Sequence, residues 1–415
     1  MLEMKRPIIE YVTIVMLILS LTGSLSTAVC STEIKVPIDY KTIQEAIDAA
    51  KPGDIVRIAS GLYNESIVIV NKTDLMIVGE DVANTIIDGS GCDGSLIEIC
   101  SAKNITIANL TIQNSGGHGI FIEKSEGITV LNNVFYNCKQ AIWLGHSSGN
   151  RIEKNRIEQC STGIGLTINS TSNIVEENEI RANNIGITIT AYADGNIISK
   201  NSITNSQIGI KISLSVGNVV SENVIAGHKQ YGIYIYGIRA SSNNFTLNIV
   251  ENNEIGVYIY QSHGNFFYCN NFIDNTVQVY LTGDEINYWS YHEKGNYWSD
   301  YTGVDEDGDG IGEIPYEINE KNKDYYPFAR KSGWTPQMRG FQINIYVILI
   351  IAVAAIVYIG TLIFFKMKTR KKLKSLELKG NIKFSSFFSI LFFYVSSIKY
   401  MSQLLSKELQ LRRLQ

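Results

Sequence analysis

The sequence predicts an all-β solenoid, short parallel strands wound coil upon coil, and three observations carry that prediction. A four-residue unit of the form small–apolar–any–apolar recurs at near-constant spacing, starting at Gly119, Ala141, Gly163, Gly186, Gly209, Gly232, Gly256 and Gln278. Asparagines keep register with it: Asn133, Asn155, Asn178, Asn201, Asn223, Asn248 and Asn270 form one series, and Asn150, Asn173, Asn196, Asn218, Asn243 and Asn265 another. Proline is absent from Gly53 to Ile314, as expected where almost every backbone N–H is needed in a ladder.

In chain order, Lys5 and Arg6 precede an apolar run over Tyr11–Leu21, and small residues follow. Residues 1–30 are therefore expected to be a secretory signal peptide. Thr42-Ile-Gln-Glu45 is a capping box, with Ile43, Ala46, Ile47 and Ala50 at helical spacing and Pro52-Gly53 as the stop. The expectation is an amphipathic helix over 42–51 that lids the solenoid. The solenoid itself spans 33–281. Asp54–Glu126 supplies two or three less regular coils, and the regular coils follow with three apolar–x–apolar strands each. Such strands are too short to be stable alone; stacked, they bury a continuous core and hydrogen-bond along the axis. Asparagine at the corners suits both a left-handed backbone angle and a side-chain amide ladder. Leucine-rich repeats have a similar period, but Ile and Val dominate here and favour strands.

Residues 282–328 are expected to form a C-terminal cap and 329–342 a stalk. Ile343–Phe365 contains no charge and is long enough to cross a bilayer as one transmembrane helix. It is followed by Lys366, Lys368, Arg370, Lys371, Lys372 and Lys374, which places 366–415 in the cytoplasm as a basic tail and the bulk of the chain outside. The expected location is thus the cell membrane, with a single pass. The net charge of −4 for 415 residues conceals this asymmetry: 366–415 carries +10, 1–30 is neutral, and 31–365 carries −14. An acidic exported part excludes a nucleic-acid partner, which would need a basic face.

The stretch from Tyr40 to Tyr63, the Gly-Ile-x-Ile coils and Gly295-Asn-Tyr-Trp-Ser-Asp300 together resemble the right-handed parallel β-helix (pectin-lyase-like) proteins. The nearest group is the NosD-like, carbohydrate-binding and sugar-hydrolysis (CASH) family, over about residues 33–328. The resemblance implies a single-stranded right-handed parallel β-helix. It also implies a choice among carbohydrate binding, polysaccharide lyase or hydrolase chemistry, and copper processing, because one solenoid scaffold hosts many functions.

The residues weigh these alternatives. Outward positions between the inward apolar residues are Phe121, Trp143, Gly165, Thr188, Lys211, Tyr234, Tyr258 and Tyr280, with Tyr236 and Tyr260 one step further along their strands. Tyr234, Tyr236, Tyr258, Tyr260 and Tyr280 on one sheet face make a candidate carbohydrate-binding platform, since flat rings suit the apolar faces of sugars; cross-strand stacking is the alternative explanation. Asp305, Asp307, Asp309 and Glu313, spaced by glycines, match the start of a calcium loop and suggest a structural Ca2+. Position 12 of that loop is Tyr316, so its remaining ligand would come from Glu317 or Asp324. No paired carboxylates of the kind polysaccharide cleavage requires stand out in the regular coils, so catalysis is not favoured. Copper rests on the resemblance alone, because the histidines occupy unrelated coil positions. Cys138 and Cys160, and Cys92 and Cys100, are disulfide candidates, free buried thiols being the alternative. Surface glycans or envelope proteins are the expected partners.

Overall fold

The computed structural model describes residues 31–334. They form a parallel β-solenoid of about twelve turns with one helix. Strands that are three apart in chain order are neighbours in space, which generates three parallel sheets. One has eleven strands and begins at Glu33–Val36; a second has eleven, from Gly61–Tyr63 to Tyr297–Trp298. The third has ten, from Ile67–Val70 to Val277–Thr282, and contains the Gly-Ile-x-Ile units.

Register is maintained from coil to coil. In the ten-stranded sheet Ile120, Ile142, Ile164, Ile187, Ile210, Ile233, Val257 and Val279 are successive partners. From Ile120 to Val257 these side chains are at most 1% exposed and form one file of the core. Burying each stabilises the fold by about 1.5–3 kcal/mol, which short strands need because they have no local stability.

The corners differ from expectation in one respect. The laddered asparagines do not take the left-handed angle; the residue before each of them does. Asn132, Lys154, Glu177, Lys200, Glu222, Leu247 and Cys269 have φ between 53° and 61°, and the asparagine that follows turns its side chain inward. Asn201 shows what is gained: its Nδ2 donates to Val175 O and Asn223 Oδ1, while its Oδ1 accepts from the backbone N–H and side-chain amide of Asn178. A buried amide with every site engaged offsets the roughly 1 kcal/mol cost of a non-glycine left-handed residue. A third ladder, unforeseen because its residues vary, runs Cys160, Asn183, Ser206, His228, Asn253, Asn275, each backbone or side chain bonded to the next coil.

Helix α1, Ile43–Ala49, closes the N-terminal mouth with the expected Thr42/Glu45 capping box and buried Ile43, Ala46 and Ile47. Its Gln44 side chain does a strand's work: Oε1 accepts Val68 N–H and Nε2 donates to Val68 O. The open edge of the ten-stranded sheet is thereby blunted. At the other end a hairpin, Tyr316–Asn319 with Asn322–Asp324, covers buried Trp289 and Trp298. Trp298 is sandwiched between Phe272 at 4.4 Å and Tyr316 at 4.2 Å.

Among the described residues no helix is long and apolar enough to cross a membrane. The expected signal peptide (1–30), transmembrane segment (343–365), basic tail (366–415) and most of the stalk lie outside the described residues.

Candidate functional site

The outward face of the ten-stranded sheet is where the sequence placed an aromatic platform. Tyr234, Tyr258 and Tyr280 are register partners on three successive coils, and Tyr236 pairs with Tyr260 beside them. Tyr234 and Tyr258 are stacked, with centroids 5.2 Å apart and planes 7° from parallel. Their flat faces are therefore turned toward each other and their rims toward solvent. Tyr280, tilted 47° from Tyr258 and 48% exposed, and Tyr260, 40% exposed, are the rings with free surface. Burial and the neighbouring phenols raise the pKa of Tyr234 above the usual tyrosine value.

One ring was missed. Tyr231 lies 4.8 Å from Tyr258 and 5.2 Å from Tyr234; it shares the parity of the inward Ile233 and Ile235, so strand alternation would place it inward, yet it is only half-buried and packs with the outward rings. A second aromatic group occupies the same face nearer the N-terminus. His118 stacks on Phe121 at 4.9 Å and lies 6.0 Å from Trp143. Burial lowers the His118 pKa, and its Nδ1 is 3.0 Å from Ser95 Oγ.

In the cap, the nearest ligand atoms of Asp305, Asp307 and Glu313 lie within 4.8 Å of one another, the one such group of three among the described residues. Asp309 is not part of it; its Oδ1 accepts Ile311 N–H. The suggested extra ligands are engaged elsewhere: Glu317 pairs with Lys323, and Asp324 is buried under the tryptophans.

All five described cysteines are free thiols, which corrects both disulfide expectations. Cys138 and Cys160 are buried neighbours on adjacent coils whose thiols interact without an S–S bond between them. The contact with Cys138, together with burial, raises the Cys160 thiol pKa. Cys92 Sγ contacts Ser66 Oγ whereas Cys100 Sγ donates to Glu98, so the second pair does not meet.

Two family models match the chain: "Right handed beta helix region" over residues 67–193 and "Periplasmic copper-binding protein (NosD)" over residues 167–303. A probable ABC transporter binding protein NosD of Stutzerimonas stutzeri is 33% identical over 110 residues, 25% of this chain and 24% of that protein.

The chain is a NosD-like right-handed β-helix repeat protein.

The NosD protein of Pseudomonas aeruginosa is 34% identical over 98 residues, covering 23% of this chain and 22% of its own length; the NosD-like chain thus spans about a quarter of the curated relatives it matches. Among solved structures, pectate lyase Pel9A superposes with a TM-score of 0.44 at 11% identity, over 59% of this chain and 73% of that one.

Copper sites draw on His, Met and Cys, and the described residues of the NosD-like chain fit one poorly. The His228 ring has both nitrogens engaged in the third ladder, and His146 Nδ1 is 3.1 Å from Glu123. Met76 is the one methionine among the described residues. The adjacent soft donors are the two buried thiols of Cys138 and Cys160, and the three-residue carboxylate group in the cap offers hard oxygen instead.

Proposed function

We propose that this NosD-like solenoid is a cell-surface protein that binds carbohydrate through the outward face of its ten-stranded sheet. The observation that carries the reading is the in-register cluster of Tyr231, Tyr234, Tyr236, Tyr258, Tyr260 and Tyr280. Aromatic rings held edge-out on a rigid sheet cost little entropy to use and offer apolar surface bordered by hydroxyls, the complement of a sugar ring. Anchoring is assigned to the uncharged segment 343–365 and the basic tail after it, which would hold the acidic solenoid outside the cell, facing surface glycans or envelope proteins. Asp305, Asp307 and Glu313 are proposed to hold a structural Ca2+.

The test is a glycan array probed with the full-length protein and with Tyr258→Ala. Binding that disappears in the variant supports the reading. An array without hits, or binding indifferent to Tyr258→Ala, removes it. Copper handling is a second reading, supported by the family description; titration of the protein with Cu(I) and Cu(II), followed by metal analysis after dialysis, decides it.

A further inference from the structure

The aromatic rows say nothing about which kind of glycan the face takes, but its charge does. Within the ten-stranded sheet, the strands from Gln140–Gly145 to Val277–Thr282 carry a single charged residue, Lys211, whereas the two coils before them carry Glu98 and Glu123. Lys211 lies in register between Thr188 and Tyr234 on the outward row, and its ammonium sits 5.2 Å from the centroid of the Tyr236 ring. Among the described residues Lys211 takes part in no ion pair. The other two outward faces behave differently. Arg151 is matched by Glu153 and Glu176, and Arg156 and Arg181 converge on Glu158. In a segment with a net charge of −14, the one cation on this face is left uncompensated. A ring contact is worth only about 0.5–1 kcal/mol at an exposed site and leaves the ammonium protons free to bond an anion.

The row has a second stacking point. Trp143 and Gly165 are register partners, and a Cβ built on Gly165 would lie 2.2 Å from Trp143 Cε3. The indole therefore rests on the glycine backbone, flat against the sheet, where any other residue would push it away. Gly165 is needed here for space, since its φ is ordinary. One residue per coil, the row reads Trp143 over Gly165, then Thr188, Lys211, Tyr234, Tyr258 and Tyr280. Lys211 is three coils from each end, about 14 Å either way at a strand spacing of about 4.8 Å.

We propose that this row is one continuous site for an extended anionic glycan lying parallel to the solenoid axis. Its rings stack on Trp143 and on the exposed rings of Tyr260 and Tyr280, and its carboxylate or sulfate pairs with Lys211 between them. This rests on the carbohydrate reading above and specifies its ligand class.

The experiment is an array of neutral, uronic-acid and sulfated oligosaccharides of graded length, each uronate also present as its methyl ester. It is probed with the full-length protein, Lys211→Gln, Lys211→Arg and Trp143→Leu, each first checked for an unchanged unfolding midpoint. Hits confined to anionic oligomers are expected. Methyl esterification or Lys211→Gln should weaken them about tenfold or more, the scale of a charge-assisted hydrogen bond, with Lys211→Arg close to the parent. Trp143→Leu should weaken long oligomers and spare short ones. The uronate and sulfate arms identify which anion is preferred. Equal binding of neutral and anionic oligomers, or anionic binding untouched by Lys211→Gln, overturns the anionic assignment while leaving carbohydrate binding in place. Length-independent loss in Trp143→Leu overturns the extended pose. No hit of any kind removes the carbohydrate reading and this inference with it.

Discussion

Asp324 ends the longer asparagine ladder by taking both amides of Asn296, the backbone N–H at 2.7 Å and the side-chain Nδ2 at 3.2 Å. It also accepts the Trp298 indole N–H at 2.9 Å and the Tyr326 backbone N–H at 3.1 Å. A ladder in which every rung both donates and accepts can be closed by a last rung that only accepts, and a carboxylate does so here, whereas the other ladder ends on Asn322, which accepts from Asn287 and donates to Glu285 O. Asp324→Ala strands buried donors on Asn296 and Trp298 and should cost roughly 3 kcal/mol, with Asp324→Asn costing less. Urea unfolding followed by tryptophan fluorescence measures both, and a loss under 1 kcal/mol for the alanine variant would contradict this account of the cap.

Two buried groups give opposite pH dependences. Burial lowers His228 to about 4, with its Nδ1 accepting Ser206 N–H and its Nε2 3.1 Å from Ile203 O. A base depressed on folding contributes stability that is full above its unfolded value of about 6.5 and is lost as pH falls to 4, about 3 kcal/mol in all. Burial raises Asp324 to about 6, against the pull of its hydrogen bonds. An acid raised on folding contributes stability that is full below about 4 and lost as pH rises through 6. The two offset between pH 4 and 6. His228→Asn can repeat the ladder geometry of Asn253, whose Nδ2 donates to Ile225 O, without titrating. The variant should then become more stable on acidification from pH 6 to 4, where the parent stays level. Thermal unfolding across that range is the check, and parallel curves for the two proteins would refute the assignment.

Interior rungs should be as sensitive as the terminus. Asn201 is 1% exposed and engages amides and carbonyls on three coils. Asn201→Ala should lower stability by roughly 3 kcal/mol. Substituting the exposed left-handed residue before it, Lys200→Gly, should be neutral or slightly stabilising, because glycine takes that angle without strain. Chemical denaturation of the pair separates the side-chain ladder from the backbone turn.

Thiol reactivity should follow burial. Cys92 is half-buried, and its contact with Ser66 Oγ lowers its pKa, whereas burial raises Cys100 to about 11. A maleimide added to native protein should label Cys92 first and leave Cys138, Cys160 and Cys269 until unfolding. Early labelling of Cys138 or Cys160, located by peptide mapping, would show that the core file is open there.

Calcium, proposed for Asp305, Asp307 and Glu313, should raise the unfolding temperature of chelator-treated protein in a concentration-dependent way, as any ligand of the native state does. Asp305→Asn with Asp307→Asn should abolish the shift. A parent protein indifferent to calcium would leave this loop as an acidic turn closed by its own backbone N–H groups.

How far the sequence reaches is visible in single residues. Ile142, Ile164 and Ile187 recur at the coil period, and parallel stacking turns that period into register, so the solenoid, its inward file and its aromatic outward row were legible before any coordinates. So were Thr42 and Glu45, because a capping box is a local contact. His228, Ser206 and Cys160 were not legible as one ladder: position unites them, residue type does not. The left-handed angle at Lys154 or Glu177 was also invisible, since neither residue favours it and the next asparagine imposes it.

Sequence alone determined the repeat, and with it which side chains face in and which face out, because a period in the chain becomes a stack in space. Tertiary structure alone decided the directions in which stacked groups point. It kept Cys138 and Cys160 as free thiols, turned Tyr234 and Tyr258 face to face, laid Trp143 on Gly165 and left Lys211 without a counter-charge. Those outcomes depend on contacts between coils more than twenty residues apart, and no local pattern encodes the angle at which two neighbouring side chains meet.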